Sequence, residues 1–260
     1  MKKSLFCLSI VTVTSLFLIN VNLFASETDD RIVSSAKKSY VFKTYLNVDD
    51  VNIQSKEGVV ALSGTVTEES HKSLARETVL SLHGVKSVDN KLTVKGEVPA
   101  EHSDAWLITK VKSTLLFHRS VSATDTEVLA KEGTVTLRGK AVNSAQKDLT
   151  TEYAKDVEGV KAVKNEMTVL AAAMKPGENT TGEKVDAMTE SVDDASITAL
   201  VKTTLLYHRS TSAINTTAET KEGVVTLAGK AKNAAEKDLA TKLVSDVHGV
   251  KKVVNNMTAP

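Results

Sequence analysis

The sequence predicts an α+β protein: three tandem copies of a small α-β-β-α-β domain, joined by flexible linkers and set behind an N-terminal signal peptide. Three observations carry this reading. The ten residues KEGVVTLAGK, from Lys221, have a near twin in KEGTVTLRGK, from Lys131, and a looser relative in KEGVVALSGT, from Lys56. Aligned on Gly58, Gly133 and Gly223, the copies share a gapless register that also brings together Gly84, Gly159 and Gly249, each followed by Val-Lys. The extra residues fall only between copies, at spacings of 75 and then 90 residues. That suits separate small domains better than a solenoid, whose units stack at a fixed, shorter period.

Taken in order, residues 1–25 have the layout of a secretory leader: two lysines, an apolar run from Leu5 to about Ile19, and a small residue at Ala25. The single Cys7 lies inside it, so the mature chain has no disulfide, thiol chemistry or cysteine metal ligand. Each unit then opens with a helix. In the third copy Asp194 is placed to cap it, and Ile197, Leu200, Val201 and Leu205 fall at helical spacing. A short extended segment, the KEG turn and an alternating strand such as Val225-Thr226-Leu227 form a hairpin, with the glycine supplying a positive φ. A second helix follows, capped at Asn233 with Glu236 reaching back, and again at Asn143 with Gln146. Gly84, Gly159 and Gly249 are expected to end these helices in the left-handed conformation, before a last strand. The domains run over 27–96, 103–170 and 193–260. Residues 171–192, polar and punctuated by Pro176, Gly177 and Gly182, read as a flexible linker that leaves domains two and three to move independently.

The unit order, the V-T-L-x-G strand in VTLRG and VTLAG, and the endings GVKSVDN, GVKAVKN and GVKKVVN resemble the BON domain. Three copies would account for about 200 of the 260 residues. The resemblance implies a periplasmic, stress-associated protein with phospholipid contact or chaperone-like activity.

The residues themselves do not suggest an enzyme. His-Arg-Ser occurs at His118–Ser120 and again at His208–Ser210, but the first copy carries Lys43, Thr44 and Tyr45 there. At the end of a helix, His and Arg meet the negative pole of the dipole, which is a sufficient reason for the triplet. The six histidines show no recognisable metal-ligand spacing, and the KEG stretch lacks the Gly-Lys-Ser/Thr ending of a phosphate loop. No cofactor, metal or small-molecule substrate is expected, and a net charge of +1 gives no ground for nucleic-acid binding.

Surface contact remains. From Asp194 to Thr258 the third unit carries nine basic against six acidic residues, with Lys230, Lys232, Lys237, Lys242, Lys251 and Lys252 supplying the excess. A lysine near an anionic leaflet contributes about 1 kcal/mol. Trp106, the only tryptophan, aligns with Arg31 and Ser196, which suggests a solvent-facing position beside Lys110. An aromatic ring with a wet edge suits a membrane interface or a protein partner, and packing against the lysine stem is the alternative. Trp106, Lys110, Lys230, Lys232, Lys237 and Lys242 are therefore the candidate contacts. The expected partner is an anionic phospholipid surface in the periplasm, met by weak multivalent binding; the alternative is the holding of unfolded envelope proteins.

Overall fold

In the computed structural model, residues 21–96, 99–170, 191–211 and 216–260 are described, with side chains from Glu27 onward. Most of the leader and the 171–190 stretch of the linker lie outside them. Unit one comprises α1 (Val21–Lys38), α2 (Tyr40–Thr44), β1 (Asp50–Lys56), β2 (Val59–Val66), α3 (Glu69–Leu80) and β3 (Ser87–Val94). Unit two comprises α4 (Asp104–Phe117), β4 (Thr126–Lys131), β5 (Thr134–Ala141), α5 (Ser144–Lys155), β6 (Ala162–Asn165) and β7 (Thr168–Val169). Unit three comprises α6 (Asp194–Tyr207), β8 (Thr216–Lys221), β9 (Val224–Gly229), α7 (Ala234–Ser245) and β10 (Lys252–Asn255). No described helix is long and apolar enough to cross a membrane.

Each sheet has the second hairpin strand at its centre. That strand pairs antiparallel with the first hairpin strand and parallel with the last, which returns through helix two. Alternation decides the faces: in β9, Val225 and Leu227 are fully buried beneath the helices. The repeated asparagine fastens the crossover. The amides of Asn90, Asn165 and Asn255 donate to the carbonyls of Lys72, Lys147 and Lys237 in helix two, while their Oδ1 atoms accept from the N–H two residues on. One side chain thereby ties the helix to the strand and satisfies groups on both.

Three local expectations need correction. The helix-one cap in unit three is Asp193, which accepts from Ser196 N; Asp194 instead turns to the hairpin, accepting from Glu222 N at 2.7 Å and Gly223 N at 2.8 Å. Asp29 and Asp104 do the same in their units. Both central turn residues have positive φ, 54° at Glu57, Glu132 and Glu222 and 79–86° at the following glycine, so the glycine is only half of the left-handed turn. Finally, the helix-two caps are Ser81, Asp156 and Asp246; Gly84, Gly159 and Gly249 are left-handed but stand three residues farther on. An additional turn separates each helix from its glycine, so the glycine redirects the chain into the last strand.

The largest departure is between units. One continuous core joins unit one (Ile32, Leu74, Val79) to unit three (Ile197, Leu200, Leu205) and takes in Phe117 from unit two. Helix α3 packs along α6, where Lys202 Nζ lies 3.1 Å from Glu77. The caps of unit three also serve unit one: Tyr40 N donates to Asp193 and Val41 N to Ser196 Oγ. Domains two and three, expected to move independently, are in direct contact. Linker composition says nothing about the surfaces it joins.

Candidate functional site

Helix α4 places Trp106 and Lys110 one turn apart. Trp106 is half-buried against the core of unit two, with the His102 ring edge-on at 5.1 Å. The Lys110 ammonium lies 5.3 Å from the Trp106 ring centroid and 3.7 Å from that of Tyr207 in unit three. Such cation–π contacts strengthen when desolvated, and burial pulls the Lys110 pKa below its ordinary value. Lys110 thus belongs to the join between units two and three, while Trp106 is half-buried within unit two and packs beside the lysine, the alternative to a solvent-facing ring. The aligned Ser196 is itself fully buried, because unit one covers it.

The lysines of unit three are differently placed. Lys230 follows β9, Lys232 precedes α7, Lys237 sits early on α7 and Lys242 in its last turn. Lys230, Lys232 and Lys242 are exposed and Lys237 is half-buried. None of the four makes a salt bridge among the described residues. At about 100° per residue, Lys237 and Lys242 point some 140° apart around the helix. The structure therefore gathers Lys230, Lys232 and Lys237 near the start of α7 and leaves Lys242 at its other end.

The two His-Arg-Ser triplets, expected to answer the dipoles of their own helices, are placed otherwise. Each ends helix one of its own unit but faces the end of helix two in the other. His118 pairs with Val247 and His208 with Val157 in short antiparallel bridges. Arg119 N donates to the Asp246 carbonyl and Arg209 N to the Asp156 carbonyl, both at 2.9 Å. The Arg119 guanidinium reaches the carbonyls of Ser245 and Val250, and that of Arg209 reaches Val160. Ser120 and Ser210 hydroxyls donate to Asp246 and Asp156. The dipole argument thus holds for a different helix from the one expected: each triplet caps helix two of the neighbouring unit. At the centre, His118 and His208 are fully buried, with their Nε2 atoms 3.3 Å apart. Tyr153 stacks on His118 at 3.9 Å and donates to Asp246 at 2.6 Å. The signal was in the sequence: unit one lacks the triplet, and carries Ser81 where the others have Asp156 and Asp246.

No group of three or more histidine, cysteine or acidic side chains among the described residues is arranged to hold a metal ion. What the surface offers is shape and charge. Comparison with known proteins agrees with the repeat. The BON-domain profile matches residues 28–96, 103–171 and 193–260. The chain belongs to the BON-domain family. Among curated relatives of these BON units, osmotically-inducible protein Y of Escherichia coli K12 is 30% identical over 143 residues, covering 54% of this chain and 71% of that protein. The outer membrane lipoprotein DolP of Haemophilus influenzae is 35% identical over 115 residues, and the 21 kDa hemolysin of Actinobacillus pleuropneumoniae 30% over 115; each match spans 44% of this chain and 59% of the relative. Among solved structures, CdsD, a structural protein of the type III secretion system of Chlamydia trachomatis, matches at 15% identity and a TM-score of 0.23, over 88% of this chain and 92% of that one. That likeness is too loose to inform the arrangement of the BON units.

Proposed function

We propose that this BON protein is a non-enzymatic envelope protein of the osmotic-stress response, exported to the periplasm, that associates weakly with anionic phospholipid surfaces. The observation that carries the reading is the group of lysines at the start of α7. Lys230 and Lys232 are exposed, Lys237 is partly so, and none of them has a carboxylate partner among the described residues. An ammonium group already neutralised by a carboxylate has little to offer a phosphate; these three remain available. Relatives named for osmotic induction and for an outer-membrane location are consistent with an envelope setting. Contact between the units also supports multivalent binding, since fewer degrees of freedom are lost when binding groups are already held together.

The test is binding of the mature chain to vesicles with and without anionic lipid, at low and high salt. Binding that needs headgroup charge and weakens with salt supports the reading; equal binding to neutral vesicles overturns it. A holding role for unfolded envelope proteins is favoured by a different feature, the exposed leucines Leu116 and Leu206 at the ends of α4 and α6. Suppression of aggregation in the absence of lipid would support that second reading.

A further inference from the structure

The contact between units two and three is built around protons. Four ionisable side chains form a line across it: Asp156, His208, His118 and Asp246. His208 Nδ1 lies 2.7 Å from Asp156 Oδ2, a hydrogen bond in which the imidazole N–H must be the donor to the carboxylate. That leaves Nε2 of a neutral His208 as an acceptor. His118 Nε2, 3.3 Å away, then carries the N–H that it donates. His118 Nδ1 stands 3.5 Å from Asp246 Oδ2 and makes no hydrogen bond. The line therefore has room for one more proton, on His118 Nδ1 beside Asp246. A second would have to sit on His208 Nε2, where it would meet the N–H of His118 head-on. Both rings are sealed from water, so neither can turn its charge toward solvent.

We infer that this histidine pair is a proton-sensitive latch: it joins units two and three while at least one Nε2 is bare, and releases them when acid protonates both rings. The other groups facing the pair set how far this goes. Tyr153 stacks on His118 and donates to Asp246. Arg119 and Arg209 lie at the same carboxylates, with Nε 3.8 Å from Asp246 and Asp156, and add positive charge to the junction. His248 is also close to Asp246 and Arg119, and burial holds its pKa down. Burial, together with the charge of His208, likewise lowers that of His118 against the pull of Asp246. Asp246, despite its burial, is held below the usual carboxylate range by His118, Ser120 and Tyr153. Asp246 thus stays ionised beside His118 as the pH falls.

The sign follows from proton counting. A closed junction that refuses the second proton binds fewer protons than an open one, so falling pH favours opening. Its contribution is intact above about pH 6.5, the free imidazole value, and is lost progressively below it. Release would part Phe117 from Tyr207 and Tyr153 from Asp246, contacts that now cross the junction.

The experiment uses the full mature chain with a fluorophore pair at Ser144→Cys and Ala234→Cys, exposed positions at the starts of α5 and α7. Transfer efficiency is followed from about pH 7.5 to about pH 5, in EDTA and at constant ionic strength. Efficiency is expected to fall with a midpoint below about pH 6.5. The substitution H118Q, which keeps a donor and an acceptor but does not titrate, should flatten the response; H208Q is the second variant, and H248Q should leave the transition in place. Histidine ring 15N titration of the unmutated chain asks the same question without substitution, since His118 and His208 must take up their last proton over the range in which the labels separate. Constant efficiency down to about pH 5 would overturn the latch. So would a wild-type-like transition in both H118Q and H208Q, loss of the transition in H248Q, or a transition that appears only when EDTA is replaced by zinc.

Discussion

Asp194 accepts the backbone N–H of Gly223 at 2.8 Å, across 29 residues of chain. With the bond from Glu222, this fixes the hairpin tip of unit three to the start of its helix one. A hydrogen bond to a charged group contributes roughly 1.5–3 kcal/mol, so Asp194→Ala should destabilise the hairpin by about 2 kcal/mol. Asp104, whose two bonds are longer at 3.1 and 3.3 Å, should matter less to unit two. Native-state hydrogen exchange at Gly223 and Gly133 reads the two losses separately. A larger effect from Asp104→Ala would contradict the assignment.

The same turn holds a non-glycine residue, Glu222, at φ 54°. A left-handed conformation costs an ordinary residue roughly 1–2 kcal/mol, and asparagine tolerates it better. Because Asn-Gly is the favoured pair for this hairpin turn, Glu222→Asn should stabilise the protein by about 0.5–1 kcal/mol. A raised thermal midpoint is the expected result. An unchanged or lowered one would mean that the Glu222 side chain makes a compensating contribution in the wild type.

These turns show what one chain's sequence makes legible. The hairpin, the asparagine tie and the three-unit register were readable because each depends on contacts at fixed sequence offsets, repeated three times. The joins between units were not, because they depend on which faces meet. Ser196 shows why: a polar side chain at a helix-one position suggested solvent there, and by alignment at Trp106. Instead Ser196 is buried as an acceptor for Val41 N. The His-Arg-Ser triplets were visible but were referred to their own helix dipole, when the helix they cap belongs to the neighbouring unit. Absence of both triplet and aspartate from unit one was the available clue that the two act together.

Sharing of cores gives a third prediction. On α6, Ser196 to Val201 are six consecutive buried residues, a pattern that no single face of a helix can produce. Unit one covers part of that surface. Expressed alone, residues 193–260 should therefore self-associate or bind a dye that reports exposed apolar surface, whereas the full chain should not. A monomeric fragment with no dye binding and a wild-type melting temperature would show that the units are thermodynamically independent.

The last prediction separates the two groups of candidate contacts. Lys230 and Lys232 are exposed, while Lys110 is engaged by Trp106 and Tyr207. If unit three meets anionic lipid through the start of α7, Lys230→Gln and Lys232→Gln should each weaken vesicle binding by about 1 kcal/mol at low ionic strength. Lys237→Gln should cost less, because part of its side chain is already covered. The combined loss should shrink as salt shortens the screening length. Lys110→Met should leave vesicle affinity unchanged and instead loosen the contact between units two and three, since a cation over an aromatic ring there contributes about 0.5–2 kcal/mol. Trp106 fluorescence reports that loosening, and co-sedimentation with vesicles reports affinity. The α7 surface would be removed from the mechanism if the triple glutamine variant bound anionic vesicles as the wild type does.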